Sequence, residues 1–216
     1  MITITKYSLM IIKIKNMLLC VLSFFLAGCS VFGISNVEEA RYKTLDKDNN
    51  YSLREYDKVM IAEVTVDGDH YNDTSRKSFR ILFNYISGDN KTKLDIPMTS
   101  PVINQSNKKI KMTSPVLTNN QTMVFFLPSH FTLKNTPIPN NPRVKVYMRK
   151  PKVIGVVKFN GRMTNDAINK YTKLLSNWLK MKGYKELSKP IYARYNPPWT
   201  LPIFRHNEIQ IIVEKD

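Results

Sequence analysis

From Tyr51 onward apolar and polar positions alternate. Tyr51–Tyr56 and Lys58–Val66 each read as a strand, with Asp57 as the break between them. The period then changes. Phe79, Leu82, Phe83 and Ile86 recur at helical spacing and predict a helix over Asp73–Ser87, with Asn72 or Asp73 placed to cap its start and Gly88 to end it. Extended segments are expected at Lys93–Met98, Lys109–Val116 and Thr122–Leu127. Pro97, Pro101, Pro115 and Pro128 punctuate them and belong at strand ends or edges.

The second half replays this order. Arg143–Arg149 and Lys152–Asn160 are expected strands, turned at Pro151. Thr164–Lys182 carries Ile168, Tyr171, Leu175 and Trp178 on one helical stripe and stops at Gly183. Ile191–Tyr195 and Glu208–Val213 are the last strands. Each half is thus strand, strand, helix, strand, strand. A duplicated unit of this kind makes an α+β domain, with both helices packed on a curved antiparallel sheet. A short repeat lies inside it: Met98-Thr-Ser-Pro-Val102 recurs as Met112-Thr-Ser-Pro-Val116. Proline fixes φ and withholds an N–H, so two such kinks can turn neighbouring strands.

Ahead of this pattern stands a different one. Lys6, Lys13 and Lys15 precede the apolar run Met17–Ala27, and no acid occurs before Cys29. A membrane-spanning helix needs ~20 apolar residues, so this shorter run fits a cleaved export signal instead. It ends in Leu26-Ala27-Gly28-Cys29, which resembles the lipobox of bacterial lipoproteins. That resemblance implies cleavage before Cys29, a diacylglyceryl group on its thiol and an acylated new amino terminus. Acyl chains add ~0.8 kcal/mol per buried methylene, enough in combination to hold a domain to a bilayer. Cys20 lies in the discarded part, so no disulfide is expected.

Charge changes the picture less than its size suggests. The 216 residues hold 33 Lys and Arg against 17 Asp and Glu, a formal +16. Such a balance suits nucleic acid, an anionic surface or an acidic ligand. Export removes the first, and no nucleic acid is expected among the partners.

The ordered motifs of the remainder resemble the SOUL haem-binding family. They are Tyr51-Ser-Leu-Arg-Glu-Tyr56, Ala62-Glu-Val-Thr-Val66, Phe83-Asn-Tyr-Ile-Ser-Gly88 and the doubled Met-Thr-Ser-Pro-Val. Phe125-Phe-Leu-Pro-Ser129, Arg143-Val144, Phe159-Asn-Gly161, Ala193-Arg-Tyr-Asn-Pro-Pro-Trp-Thr-Leu-Pro202 and Arg205-His-Asn-Glu-Ile209 complete the set. The resemblance implies a twisted, barrel-like antiparallel sheet flanked by two helices. It also implies non-covalent binding of haem or another tetrapyrrole in a shallow apolar depression, between the first helix and the loop before the last strand. The chain then divides into a signal peptide at 1–28, the lipidated Cys29 with a tether to 45, and the haem-binding domain at 46–216, a monomer in the cell envelope.

Arg76, Phe79, Arg80 and Phe83 share one stripe of the first helix. Two rings beside two guanidinium groups suit a flat macrocycle carrying carboxylates. Trp199, Phe204 and His206 belong to the loop side of the same expected site. The family's helix arginine falls on Arg76, whereas its two pocket lysines fall on Asn84 and near Thr200. Axial ligation would draw on His70, His130, His206, Met98 or Met112, and no His or Cys spacing marks an intrinsic metal site. No nucleophile elbow, phosphate loop or metalloprotease motif is present, so the chain reads as a binding protein and not an enzyme. Two rivals are weighed against that reading. One is an envelope module meeting an anionic partner; the other is a hydrolase using a groove carboxylate, Glu63 or Glu208.

Overall fold

The computed structural model describes Lys15 and residues 37–67, 71–106 and 121–215. The rest of the leader, Cys29, His70 and the expected strand Lys109–Val116 with the second Met-Thr-Ser-Pro-Val lie outside the described residues.

Ten strands and two helices follow one another as β1 (Tyr42–Asp48), β2 (Tyr51–Tyr56), β3 (Val59–Val66), α1 (Tyr71–Ile86), β4 (Val102–Ser106) and β5 (Gln121–Phe126). The second half continues with β6 (Val144–Arg149), β7 (Lys152–Phe159), α2 (Asn165–Met181), β8 (Tyr184–Glu186), β9 (Ile191–Arg194) and β10 (Asn207–Lys215). A single 3-10 turn, Pro202–Phe204, interrupts the loop between β9 and β10. The strands make one antiparallel sheet in the order β1-β2-β7-β10-β9-β4-β5-β3-β6, with β8 paired to β10. The two halves therefore interlock. β2 pairs with β7, and β3 pairs with both β5 and β6. This is the expected α+β architecture, a curled sheet with two helices.

Strand alternation assigns the faces. Met60, Ala62, Val64 and Val66 of β3 join Met123 and Phe125 of β5 beneath α1, which contributes Ile81, Leu82, Tyr85 and Ile86. Leu53, Val157, Phe159, Ile209 and Ile211 play the same part under Leu175, Trp178 and Leu179 of α2. The alternate residues, including Ile61, Ile103, Val124 and Phe126, cover the opposite, inner face. Both helices thus pack on one side of the sheet. α2 comes unusually close at Gly155, where a Cβ would stand 2.5 Å from Leu179 Cδ2. Its start is capped as its sequence requires, Thr164 Oγ1 accepting from Ala167 N at 3.2 Å, and Gly183 ends it at φ +73°. Among the described residues no helix is long and apolar enough to cross a membrane.

Four elements depart from expectation. β1 straddles the boundary drawn at residue 45, because it is an exposed edge strand whose register shifts between Thr44 and Asp46, which erases any period. β4 occupies Val102–Ser106, whereas Lys93–Met98 holds only the isolated bridge from Asp95 to Ser87. β4 is short and lies between β9 and β5, with Ile103 and Asn104 buried on opposite sides, so it shows no half-buried alternation. β8 spans three residues, too few for a pattern. α1 begins at Tyr71, ahead of both expected caps. The first Met-Thr-Ser-Pro-Val does act as a kink. The Thr99 hydroxyl donates to the Phe126 carbonyl, Ser100 pairs through its backbone with residues 38 and 40, and Val102 opens β4.

Candidate functional site

α1 spends its most buried positions on the core: Leu82 and Tyr85 are sealed against the sheet. Phe79 and Phe83, one turn apart, fall at the edge of that face and stand 38% and 44% exposed. Their rings lie nearly parallel at 5.8 Å, and Phe79 meets the buried Phe125 edge-on at 5.5 Å. Arg76 and Arg80 are exposed on the same helix. The expected helix stripe is therefore present as a solvent-facing aromatic pair, with Phe79 and Phe83 only part of the core that Leu82 and Ile86 anchor.

Register ties this stripe to the loop after β9. Phe125 stands opposite Val102, and Val102 stands opposite Arg194. Residues directly opposite share a face, so Val102 and Arg194 look out on the helix-bearing side with Phe79. Two strand spacings of ~4.8 Å put Arg194 about 10 Å from Phe125. The chain runs from Arg194 straight into the loop that carries Trp199 and Phe204, both exposed. Thr200 is fully buried beneath them. Arg194 was not among the expected site residues, although alternation with the buried Ile191 and Ala193 marks it as facing away from the inner core.

His206 sits elsewhere. It closes the base of the loop, its ring flat on Tyr195 at 3.9 Å, and its Nε2 donates to Glu208 Oε1 at 2.9 Å. Glu208 faces the inner side of the sheet and is 0% exposed. Its Oε1 also accepts from Arg54 Nη1 at 3.0 Å, while Oε2 accepts from the Tyr195 hydroxyl at 2.7 Å and Gln210 Nε2 at 2.8 Å. Arg54 reaches across β7 to do this, and the Tyr42 ring covers its guanidinium at 4.3 Å. Burial alone would raise the Glu208 carboxyl; the bond from His206 and the charges of Arg54 and His206 outweigh it and hold it at about 2. Burial and the Glu208 charge push Tyr56 up to about 12 and Tyr195 well above its usual value, so both phenols stay protonated, Tyr195 donating to Glu208 and Tyr56 accepting from Arg54 and Gln210. A carboxylate offers ~4 acceptor sites, and these partners use them. Glu208 has no capacity left for a substrate proton. Glu63, the other groove carboxylate, accepts from the Tyr147 hydroxyl at 2.7 Å.

A cavity of about 520 Å³ opens at the edge of the core beneath α1, where β3 begins and β5 ends. Met60, Phe126, Leu127, Phe131 and Met148 contribute its apolar wall, and Glu38, Arg41, Asp57 and Lys58 line its rim. Glu38 Oε1 accepts from Ser129 N at 2.9 Å, and the Ser129 side chain first, with this backbone bond beside it, keeps the carboxyl below the usual range against the pull of burial. His130 is exposed against the Phe131 ring, and Met98 packs partly buried on the core under α1.

The model of the SOUL heme-binding protein family matches residues 37–212. Heme-binding protein 1 of Xenopus laevis is 25% identical over 179 residues, covering 77% of this chain and 92% of that protein. Among solved structures, the C-terminal domain of EcmrR superposes with a TM-score of 0.57 at 15% identity, over 81% of this chain and 99% of that one. A hydrolase from Listeria innocua gives 0.51 at 12% identity, over 79% and 94%. At these identities the structural likeness is one of fold.

Proposed function

The chain belongs to the SOUL heme-binding protein family, and from that premise we propose that it binds haem or a related tetrapyrrole non-covalently, between α1 and the β9–β10 loop. The observation that carries this placement is the register line from Phe125 through Val102 to Arg194, which brings the helix stripe and the loop to one end of one face. Phe79 and Phe83 offer a flat apolar surface to the macrocycle. Arg76 and Arg80, with Arg194 at the strand end, offer guanidinium groups to its carboxylates. Trp199 and Phe204 supply apolar contact from the loop side. His206, its Nε2 held by Glu208, serves the ligand by shaping the loop base and not as an iron ligand. Bound haem would bring its own iron chemistry; the residues here bind and orient it, which suits reversible carriage. A hydrolase working through Glu208 finds that carboxylate sealed and saturated.

We also propose that the domain is exported and tethered to the envelope membrane through Cys29, on the strength of the leader and lipobox. Titration of the purified protein with haemin tests the ligand. A saturable Soret shift near one equivalent is expected, and a linear, featureless rise would overturn the reading.

A further inference from the structure

The loop between β9 and β10 combines an exposed apolar tip with a backbone most of whose carbonyls are bonded within the protein. Trp199 and Ile203 are 63% and 70% exposed, and Leu201 and Phe204 are exposed beside them. Beneath them the carbonyls are taken in turn. Pro197 O accepts from Thr200 N at 3.1 Å, Leu201 O from Phe204 N at 2.9 Å and Pro202 O from Gly161 N at 2.9 Å. Arg205 reaches back to the carbonyls of Thr200, at 2.8 Å, and of Pro198. Asn160 Nδ2 donates to Ile203 O at 3.1 Å. Pro197, Pro198 and Pro202 have no N–H to satisfy. A water-exposed loop has no need of this many internally bonded carbonyls. A segment entering a low-dielectric layer does, since no water there replaces a missing partner.

Charge around the loop points the same way. From Leu187 to Asn207 there is no Asp or Glu, while Lys189, Arg194 and Arg205 are present. The turn that bonds the loop adds Lys158 and Arg162, both exposed. The acids that flank this stretch in sequence are Glu186, which pairs with Val213 at the far end of β10, and Glu208, which is buried against Arg54. Tryptophan favours the zone between headgroups and acyl chains, and basic side chains favour anionic headgroups.

We propose that the loop Pro197–Phe204 is a membrane-docking tip that seats Trp199, Leu201 and Ile203 in the interface of an anionic bilayer. Docking goes beyond haem binding and does not depend on it. It orients the domain at the surface, with the α1 stripe and Arg194 close to the lipid, however the chain is anchored.

The chain has two tryptophans, of which Trp178 is 4% exposed, so Trp199 reports on the tip. The experiment uses the full chain, without haem, on vesicles of phosphatidylcholine and phosphatidylglycerol carrying brominated acyl chains. Vesicles are expected to shift Trp199 emission to the blue and to quench it. Trp199→Phe should abolish the quenching. Ile203→Asp, at an exposed position and checked for folding by circular dichroism, should lose most of it, as should vesicles of phosphatidylcholine alone. The leader can bring the chain to vesicles by itself, so binding is not the readout. Vesicle-bound protein whose Trp199 stays as open to aqueous iodide as in solution would overturn the proposal. So would full quenching in Ile203→Asp, or a blue shift that follows protein concentration without lipid, which would mark a self-association surface. Because haem is absent, failure here leaves the haemin titration untouched.

Discussion

Tyr195 and His206 lie ring on ring, 3.9 Å between centroids and 3° between planes, at the two ends of the β9–β10 loop. Tyr195 N also donates to His206 O at 3.2 Å, and both side chains donate to Glu208. One buried carboxylate therefore closes the base of the loop and, through Arg54, joins it to β2 on the other side of β7.

Replacing His206 with Ala removes the stacked ring and one donor to Glu208. A loss of about 1–3 kcal/mol is expected, the range for a disturbed buried hydrogen bond. Urea unfolding measures it. Haemin binding should weaken only modestly, because the proposed site lies on α1 and the upper loop. Abolition of the Soret shift with unchanged stability would make His206 a direct ligand instead.

Glu208 gives the fold an acid limit. Its carboxyl sits near 2 in the folded chain against an ordinary 4.5, so its contribution is complete above about 4.5 and is lost as pH falls through about 2. Stability measured from pH 5 downward should fall across that window. Glu208→Gln should flatten the fall, and it should also cost about 3–5 kcal/mol at neutral pH by leaving Arg54 buried without its partner. Unfolding curves at pH 7 and pH 3 check both effects.

Arg76→Ala separates ligand from fold. A guanidinium bonded to a haem carboxylate is worth about 1.5–3 kcal/mol, so haemin affinity should drop on that scale. Arg76 is exposed and should leave the thermal midpoint nearly unchanged. Wild-type affinity in this variant would place the ligand away from α1.

Gly155→Ala does the reverse. Its methyl would press on Leu179, which is fully buried and would have to shift within the core to admit it. Overpacking of this kind costs about 1–3 kcal/mol. Thermal unfolding should register it, and the haemin titration of the folded variant should match wild type.

Cys29→Ser tests the proposed anchor. If the lipobox is read as such, the variant stays uncleaved or leaves the membrane fraction. Unchanged size and fractionation would refute lipid attachment at this residue.

Much of this protein is written locally. Helix periods, the Gly183 stop and the alternation read over β2 and β3 each depend on neighbours a few residues away, and they delivered the α+β order. The motifs that resemble the family are local too, so membership was legible before any fold was seen. What local patterns do not carry is pairing. β1 is an exposed edge with a register shift and β4 is buried on both sides, so neither shows a period until its partners are known. α1's stripe contains four apolar positions at helical spacing, and only packing on β3 and β5 decides that Leu82 and Ile86 are core while Phe79 and Phe83 stand part-exposed at its edge. Glu208 reads in sequence as an available groove acid. Arg54, 154 positions earlier, turns it into a saturated structural one, and it is the strand order, with β2 and β10 on either side of β7, that brings them together.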